Sequence, residues 1–151
     1  MKPIRRLFPV ILIALLTLAN SPAAAADTAT IQLRITDVKP GEGGSINILL
    51  YDRDGWLTPK KAIRHIEIPV DDRQTYEIDL TDIPYPAIYA VQLFQDQNDN
   101  HELDMHWLPW PGPDEPYGFS NNYKPFGKPT FTKASFPLNK KRLSLQIRMK
   151  K

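Results

Sequence analysis

The chain has 151 residues, no Cys, 15 Pro and a formal net charge of +2. Three of its nineteen bases and none of its seventeen acids lie in residues 1–26, so the remainder carries sixteen bases against seventeen acids, a net charge of −1. That balance excludes the charge pattern expected of a nucleic-acid or anionic-membrane binder, the lack of Cys excludes disulfide staples, and Pro at about twice its usual share argues against a helical protein.

Residues 1–26 read as a secretory signal. Lys2, Arg5 and Arg6 form a basic start, Leu7 to Ala19 an apolar core of thirteen residues, and Ala24-Ala25-Ala26 the small residues ahead of a cut before Asp27. A core of that length falls short of the roughly 20 residues that span a bilayer as a helix, so no membrane span is expected after cleavage. Arg5-Arg6 lacks the flanking residues of a twin-arginine signal, which favours the general secretory route, and no Cys follows for a lipid anchor. The expected destination is the periplasm or the exterior. Residues 27–151 then fit a single domain with one core.

The apolar pattern of this domain has period two, the mark of strands with one buried face. Thr30 to Val38 places Ile31, Leu33 and Ile35 on one side. Pro40-Gly-Glu-Gly-Gly44 has hairpin-turn chemistry, with Ser45 to Tyr51 as the expected partner strand. Trp56 to Ala62 is loop-like, Ile63 to Ile68 alternates less cleanly, and Thr75 to Leu80 turns Tyr76, Ile78 and Leu80 inward. Ala87 to Phe94 directs Tyr89, Val91 and Leu93 to the core. From Met105 to Pro129 periodicity gives way to an irregular excursion rich in Pro, Gly and aromatic residues, and a loop of that length in a small domain is usually functional or stiffened. Ala134 to Leu138 and Leu143 to Met149 close the chain. About seven short strands with turns between them predict an all-β antiparallel β-sandwich of immunoglobulin-like or prealbumin-like type, with one long Pro/aromatic-rich loop.

Residues 96–104, DQNDNHELD, follow the Ala87 to Phe94 strand. Asp96, Asn98 and Asn100 alternate as oxygen donors, Glu102 stands where a main-chain carbonyl is used, and Asp104 where a ligand binds directly or through water, so the stretch resembles the first nine positions of a Ca²⁺ loop. His101 occupies the place of the usual Gly, and Trp107 that of the closing bidentate Glu. Asp114 or Glu115 on the excursion is the nearest supply of that last ligand. Such a site predicts weak, structural Ca²⁺ binding, on the order of 10⁻⁴ to 10⁻³ M. The same residue types also close solvated turns; the strict alternation favours the cation.

Other constellations are weaker. His101 and His106 are five residues apart, so on a helix they diverge by about 140° and cannot share a zinc ion as an i, i+4 pair does. Gly118-Phe-Ser120 lacks the second Gly of a nucleophile elbow, and Ser120, Asn121 and Asn122 are expected to satisfy backbone groups. Trp107, Trp110, Tyr117, Phe119, Tyr123 and Phe126 offer a platform for stacking on sugars or a peptide. An exposed patch of that size is a liability unless used, which favours a lid folded back over the open end of the sandwich.

Several of these blocks occur together in order: Tyr89-Ala90, then Asp96-x-Asn98-x-Asn100-x-x-Leu103-Asp104, then Glu115-x-Tyr117-Gly118-Phe119-Ser120-Asn121-Asn122, then Phe126-Gly127-x-Pro129-x-Phe131 and Ala134-x-Phe136. Over Ile83 to Phe136 the chain resembles the domain of unknown function 2141 family of secreted bacterial proteins. The resemblance implies a small β-sandwich in the periplasm or outside the cell, without an established activity. The family loop D-x-N-x-N-G-x-x-D carries over to Asp96, Asn98, Asn100 and Asp104, with His101 in place of its Gly and Pro116 in place of a second.

The leading expectation is an exported, non-enzymatic β-sandwich module whose Ca²⁺-type loop fixes the excursion. A carbohydrate- or peptide-binding module using Trp107, Trp110, Tyr117 and Phe119, with a cell-envelope glycan or protein as partner, is the alternative. A metal-dependent hydrolase using Asp96, Asp104 and a histidine lacks a recognisable base or nucleophile pair.

Overall fold

A computed structural model describes residues 27–151, and the export segment read over 1–26, with its cleavage site, lies outside them. The alternating stretches become strands: Thr28–Thr36 (β1), Ser45–Tyr51 (β2), Arg64–Pro69 (β3), Thr75–Pro84 (β4) and Ala87–Asp96 (β5). Within the excursion lie Met105–His106 (β6), Gly112–Pro113 (β7) and Tyr117–Phe119 (β8). One helical turn, Phe131–Ala134 (α1), precedes Phe136–Leu138 (β9) and Arg142–Arg148 (β10).

The strands form a three-stranded sheet in the order β10-β1-β4, a five-stranded sheet β3-β2-β5-β8 with β9 also on β5, and the small pair β6-β7. One apolar cluster unites the two larger sheets. It holds Ile31, Leu33 and Ile35 of β1, Ile46, Ile48 and Leu50 of β2, Val91 and Leu93 of β5, and Ile147 of β10. Among the described residues no helix is long and apolar enough to cross a membrane.

Four expectations need correction. Pro40 to Gly44 does not close a hairpin, because β1 and β2 lie in different sheets. All seven residues of β2 are buried, so that strand needs a partner on each edge and cover on each face. β3 and β5 supply the edges, leaving β1 to centre the other sheet. The crossing is held by the buried side chain of Gln95, whose Nε2 donates to the carbonyls of Lys39 (2.9 Å) and Gly43 (2.7 Å) and whose Oε1 accepts from Lys39 N (3.0 Å).

Nor is the pairing wholly antiparallel. The chain crosses sheets between β9 and β10, so β10 runs beside β1 in the same direction. The strand expected over Ala134 to Leu138 starts only at Phe136, since α1 closes with Ser135 N donating to Phe131 O at 2.8 Å. Finally, β5 is not buried on one face alone: Ala90, Gln92 and Phe94 are as covered as Tyr89, Val91 and Leu93.

That second face of β5 carries its own apolar layer. Trp56 is its hub, with ring centroids 5.7 Å from Tyr51, 5.7 Å from Phe119 and 5.8 Å from Phe131. The indole Nε1 donates to Pro129 O at 3.2 Å, tying the far end of the excursion to the layer.

The sheet crossing tolerates no side chain at Gly44. Its φ is +77° and a Cβ would sit 1.8 Å from the carbonyl oxygen of Asp96, a clash added to a backbone region that L residues disfavour. Gly44→Ala is expected to lose on the order of 3 kcal/mol in urea unfolding. Gly41→Ala, where a Cβ meets nothing within 4 Å, should stay within about 0.5 kcal/mol of the parent.

Candidate functional site

β5 delivers Asp96 to the sheet end fully buried, and a buried carboxylate needs hydrogen-bond donors. The loop supplies them from its own backbone: Asn100 N donates to Oδ1 (3.2 Å) and His101 N to Oδ2 (2.7 Å). Asn98 Oδ1 accepts from Asn100 N (3.1 Å), and Asn100 Oδ1 from Glu102 N (2.8 Å). These successive turns are possible because Asp99 and His101 take left-handed conformations, φ 58° and 62°, a region that Asn, Asp and His enter more readily than other side chains. His101 thus holds the backbone shape for which cation loops use Gly.

The loop closes on two further carboxylates. Asp104 accepts from the amides of Asn98 (2.6 Å, Oδ2) and Asn100 (3.0 Å, Oδ1). Glu115, only 3% exposed, reaches in from the excursion and accepts from Gln97 N (2.8 Å) and Asp104 N (3.1 Å). Burial pushes the Glu115 carboxyl above its ordinary pKa; the two N–H donors pull it down, and the charges of Asp96 and Asp104 push it up again.

Asp96, Asn98, Asn100, Asp104 and Glu115 are therefore brought together, whereas the side chain of Glu102 is exposed. The donor set consists of hard oxygens, the kind Ca²⁺ takes. As folded, however, both Asn side chains point amide nitrogens at Asp104, and no three His, Asp or Glu side chains among the described residues form a metal-binding group. Cation binding requires those two amides to turn over, a rotation about a soft terminal torsion.

Beyond Asp104 the chain makes a finger. β6 and β7 pair Met105 with Pro113 and His106 with Gly112; Asp114 N donates to Asp104 O at 2.8 Å, and His106 Nδ1 lies 2.8 Å from Asp114 Oδ1. At the tip Trp107, Leu108 and Trp110 are 74%, 84% and 80% exposed. The aromatics thus divide between two fates. Trp107 and Trp110 stand in solvent, contrary to the expected lid, while Phe119 is buried and Tyr117 half-buried, 5.9 Å from it and edge-on. Phe119 and Tyr117 leave the stacking platform because β5 needs their rings as cover.

Ser120 meets expectation as a structural residue, though it serves β5 rather than its own loop. Its Oγ, fully buried, accepts from Val91 N (2.8 Å) and donates to Ala134 O (2.5 Å). The Asn121 amide donates to the carbonyls of Lys133 and Ser135, and Asn122 bonds Gln146 O and Arg148 N. Trp56 and Gln95 were the residues that pattern missed: one sits in a loop-like stretch, the other in an apolar strand, and only their size and amide chemistry hint at a role.

A family model described as "Uncharacterized protein conserved in bacteria (DUF2141)" matches residues 23–146. No curated protein and no solved structure matches the chain.

Glu115→Gln leaves one oxygen to accept two main-chain N–H groups and should cost about 1–3 kcal/mol in thermal or urea unfolding at neutral pH. The raised carboxyl binds its proton more readily folded than unfolded, so this group favours the folded state more as pH falls from neutral through its raised pKa, and less as pH rises again. The parent should therefore gain stability relative to Glu115→Gln on mild acidification, widening the gap between them; a gap that stays flat or narrows with falling pH contradicts this assignment.

Proposed function

The chain belongs to the domain of unknown function 2141 family of uncharacterized bacterial proteins, is mostly β in fold, and we propose that it is an exported, non-enzymatic β-sandwich module whose 96–104 loop takes a Ca²⁺-type cation and fixes the excursion that follows. Export rests on the basic start, apolar core and small-residue end of residues 1–26. The sandwich, of immunoglobulin-like or prealbumin-like type, rests on the apolar cluster shared by the two larger sheets.

One observation carries the loop's role. Glu115, one of the two residues expected to supply the missing ligand, is buried at the loop's mouth and binds both ends of it, whereas Asp114 pairs with His106. The charges of Asp96 and Asp104 each act on the Glu115 carboxyl, and a divalent cation would relieve that repulsion. Asp96, Asn98, Asn100 and Asp104 are the side-chain ligands, the carbonyl of Glu102 a fifth oxygen, and Glu115 the closing group. Binding that depends on turning over two amides is weak, in keeping with an extracellular structural site.

The exposure of Trp107 and Trp110 favours a second role for the same module. The loop and Glu115 hold the root of the finger, and the finger presents two indoles, amphipathic side chains that lose little entropy on contact, to a cell-envelope glycan or protein.

Two measurements test these roles. Melting in millimolar Ca²⁺ should show a stability above that in chelator by about 0.4–1.4 kcal/mol, the gain at a one- to tenfold excess over the dissociation constant; equal midpoints would mean that the loop is closed by its own amide–carboxylate bonds and takes no cation. Acrylamide, a neutral quencher, should reach most of the Trp fluorescence of the parent, while Trp107→Ala/Trp110→Ala should leave a shielded signal from Trp56 at an unchanged melting temperature. Poor quenching of the parent would remove the indoles as a contact surface.

A further inference from the structure

A pocket of about 330 Å³ lies between β8, the turn after it and β10, in the size range of small-molecule sites. Its frame is fixed by main-chain bonds. Tyr117 and Lys150 exchange N–H···O bonds of 2.8 and 2.9 Å, and the Asn122 side chain bonds Gln146 O and Arg148 N at 3.1 and 2.8 Å. β8 can approach β10 so closely because position 118 is Gly: a Cβ there would fall 2.9 Å from the Ile147 side chain.

Lys124, Arg148 and Lys150 line this pocket. Arg148 has a carboxylate partner, Asp37, at 3.1 Å. Lys150 places its ammonium over the Tyr117 ring, 4.9 Å from the centroid, and the influences on its charge are both unfavourable: burial and the neighbouring Lys124 lower its pKa. Lys124 and Lys150 therefore repel each other at this wall, while Arg148 is paired with Asp37. Of the two rings beside the pocket, Phe119 is buried and Tyr123, 6.2 Å away with a 45° tilt, is half-buried. No residue of the 96–104 loop or of the finger lines this cavity.

We propose that this pocket binds a small anion carried on a ring, a sugar-sized molecule with a phosphate or carboxylate group, with the anionic group between Lys124 and Lys150 and the ring against Tyr123. Lys124 and Lys150 supply N–H donors to an oxyanion, and the Tyr123 ring, with the Lys133 ammonium 5.7 Å from its centroid, offers the apolar surface beside them. The small, concave cavity suits a single group rather than a polyanion chain. The site is distinct from the finger and does not depend on cation binding by the loop.

The test is a titration of the isotope-labelled protein with glucose 1-phosphate, galacturonate and neutral glucose, following amide shifts. The expected result is saturable shifts at Phe119, Tyr123, Arg148 and Lys150 with an anionic sugar and none with glucose, the tighter of the two anions identifying the charged group. Affinity should fall about tenfold or more in Lys124→Gln, whose melting temperature should not change, and fall again in about 1 M NaCl, where charges are screened within about 3 Å. Lys150→Gln should behave likewise. No saturable shift up to about 10 mM of either anion, equal binding of glucose, or binding that survives Lys124→Gln unchanged would overturn the proposal.

Discussion

From Tyr89 to Asp96 strand β5 is buried on both faces, and that single constraint organises the rest of the molecule. A strand of ten residues in a sheet normally needs one apolar cover. β5 needs two, because Ala90, Gln92 and Phe94 are as inaccessible as Tyr89, Val91 and Leu93. The first cover is the opposite sheet, centred on β1. The second is assembled from three distant pieces of chain: Trp56 after β2, Tyr117 and Phe119 on β8, and Phe131 on α1. Residues 105–129 are thus a covering layer at their base and a free finger at their tip.

A layer made of loops has few ladder partners for its backbone, and every buried N–H or C=O must still be paired. Side chains do this in the excursion and along β5 beneath it. Ser120 closes onto β5, Asn121 onto the end of α1, Asn122 onto β10, Gln95 onto the sheet crossing, and Asp96 and Glu115 onto the loop between them. The acids of the loop therefore have a structural role already, independent of any ion. Desolvation normally raises a carboxyl pKa and N–H donors lower it; at Glu115 desolvation is the larger influence, so its ionised form is held at some cost.

Much of this was visible in the residues. Period-two alternation located β1, β4 and β10 and identified their inward side chains, since a one-faced strand records its burial directly in its pattern. The oxygen donors at alternate positions marked 96–104 as one unit, and Glu115 as its companion. What pattern missed has a common origin. β2 and β5 are apolar on both faces, so alternation carries little information about their neighbours, and the hairpin expected at Pro40 to Gly44 rested on turn chemistry that serves equally well for a crossing between sheets. The parallel run of β10 beside β1 depends on where the chain crosses over, a long-range property that local sequence does not encode. For the aromatics, composition gave the number of rings but not which ones β5 would require as cover: Phe119 and Trp107 are equally apolar, and only the register of β8 on β5 separates them.

The clamp formed by Asp104 and Glu115 has a consequence for how the protein can change over time. Everything between those two residues hangs outside the core, and the bonds that define the finger's root, from Asp114 N to Asp104 O and from Asp104 N to the Glu115 carboxylate, do not involve the tip. Replacement of the tip from Trp107 to Trp110 therefore touches neither apolar layer. The scaffold can vary what it presents there while its own folding sequence stays fixed, so the surface of the tip and the stability of the domain are free to evolve along separate sets of positions.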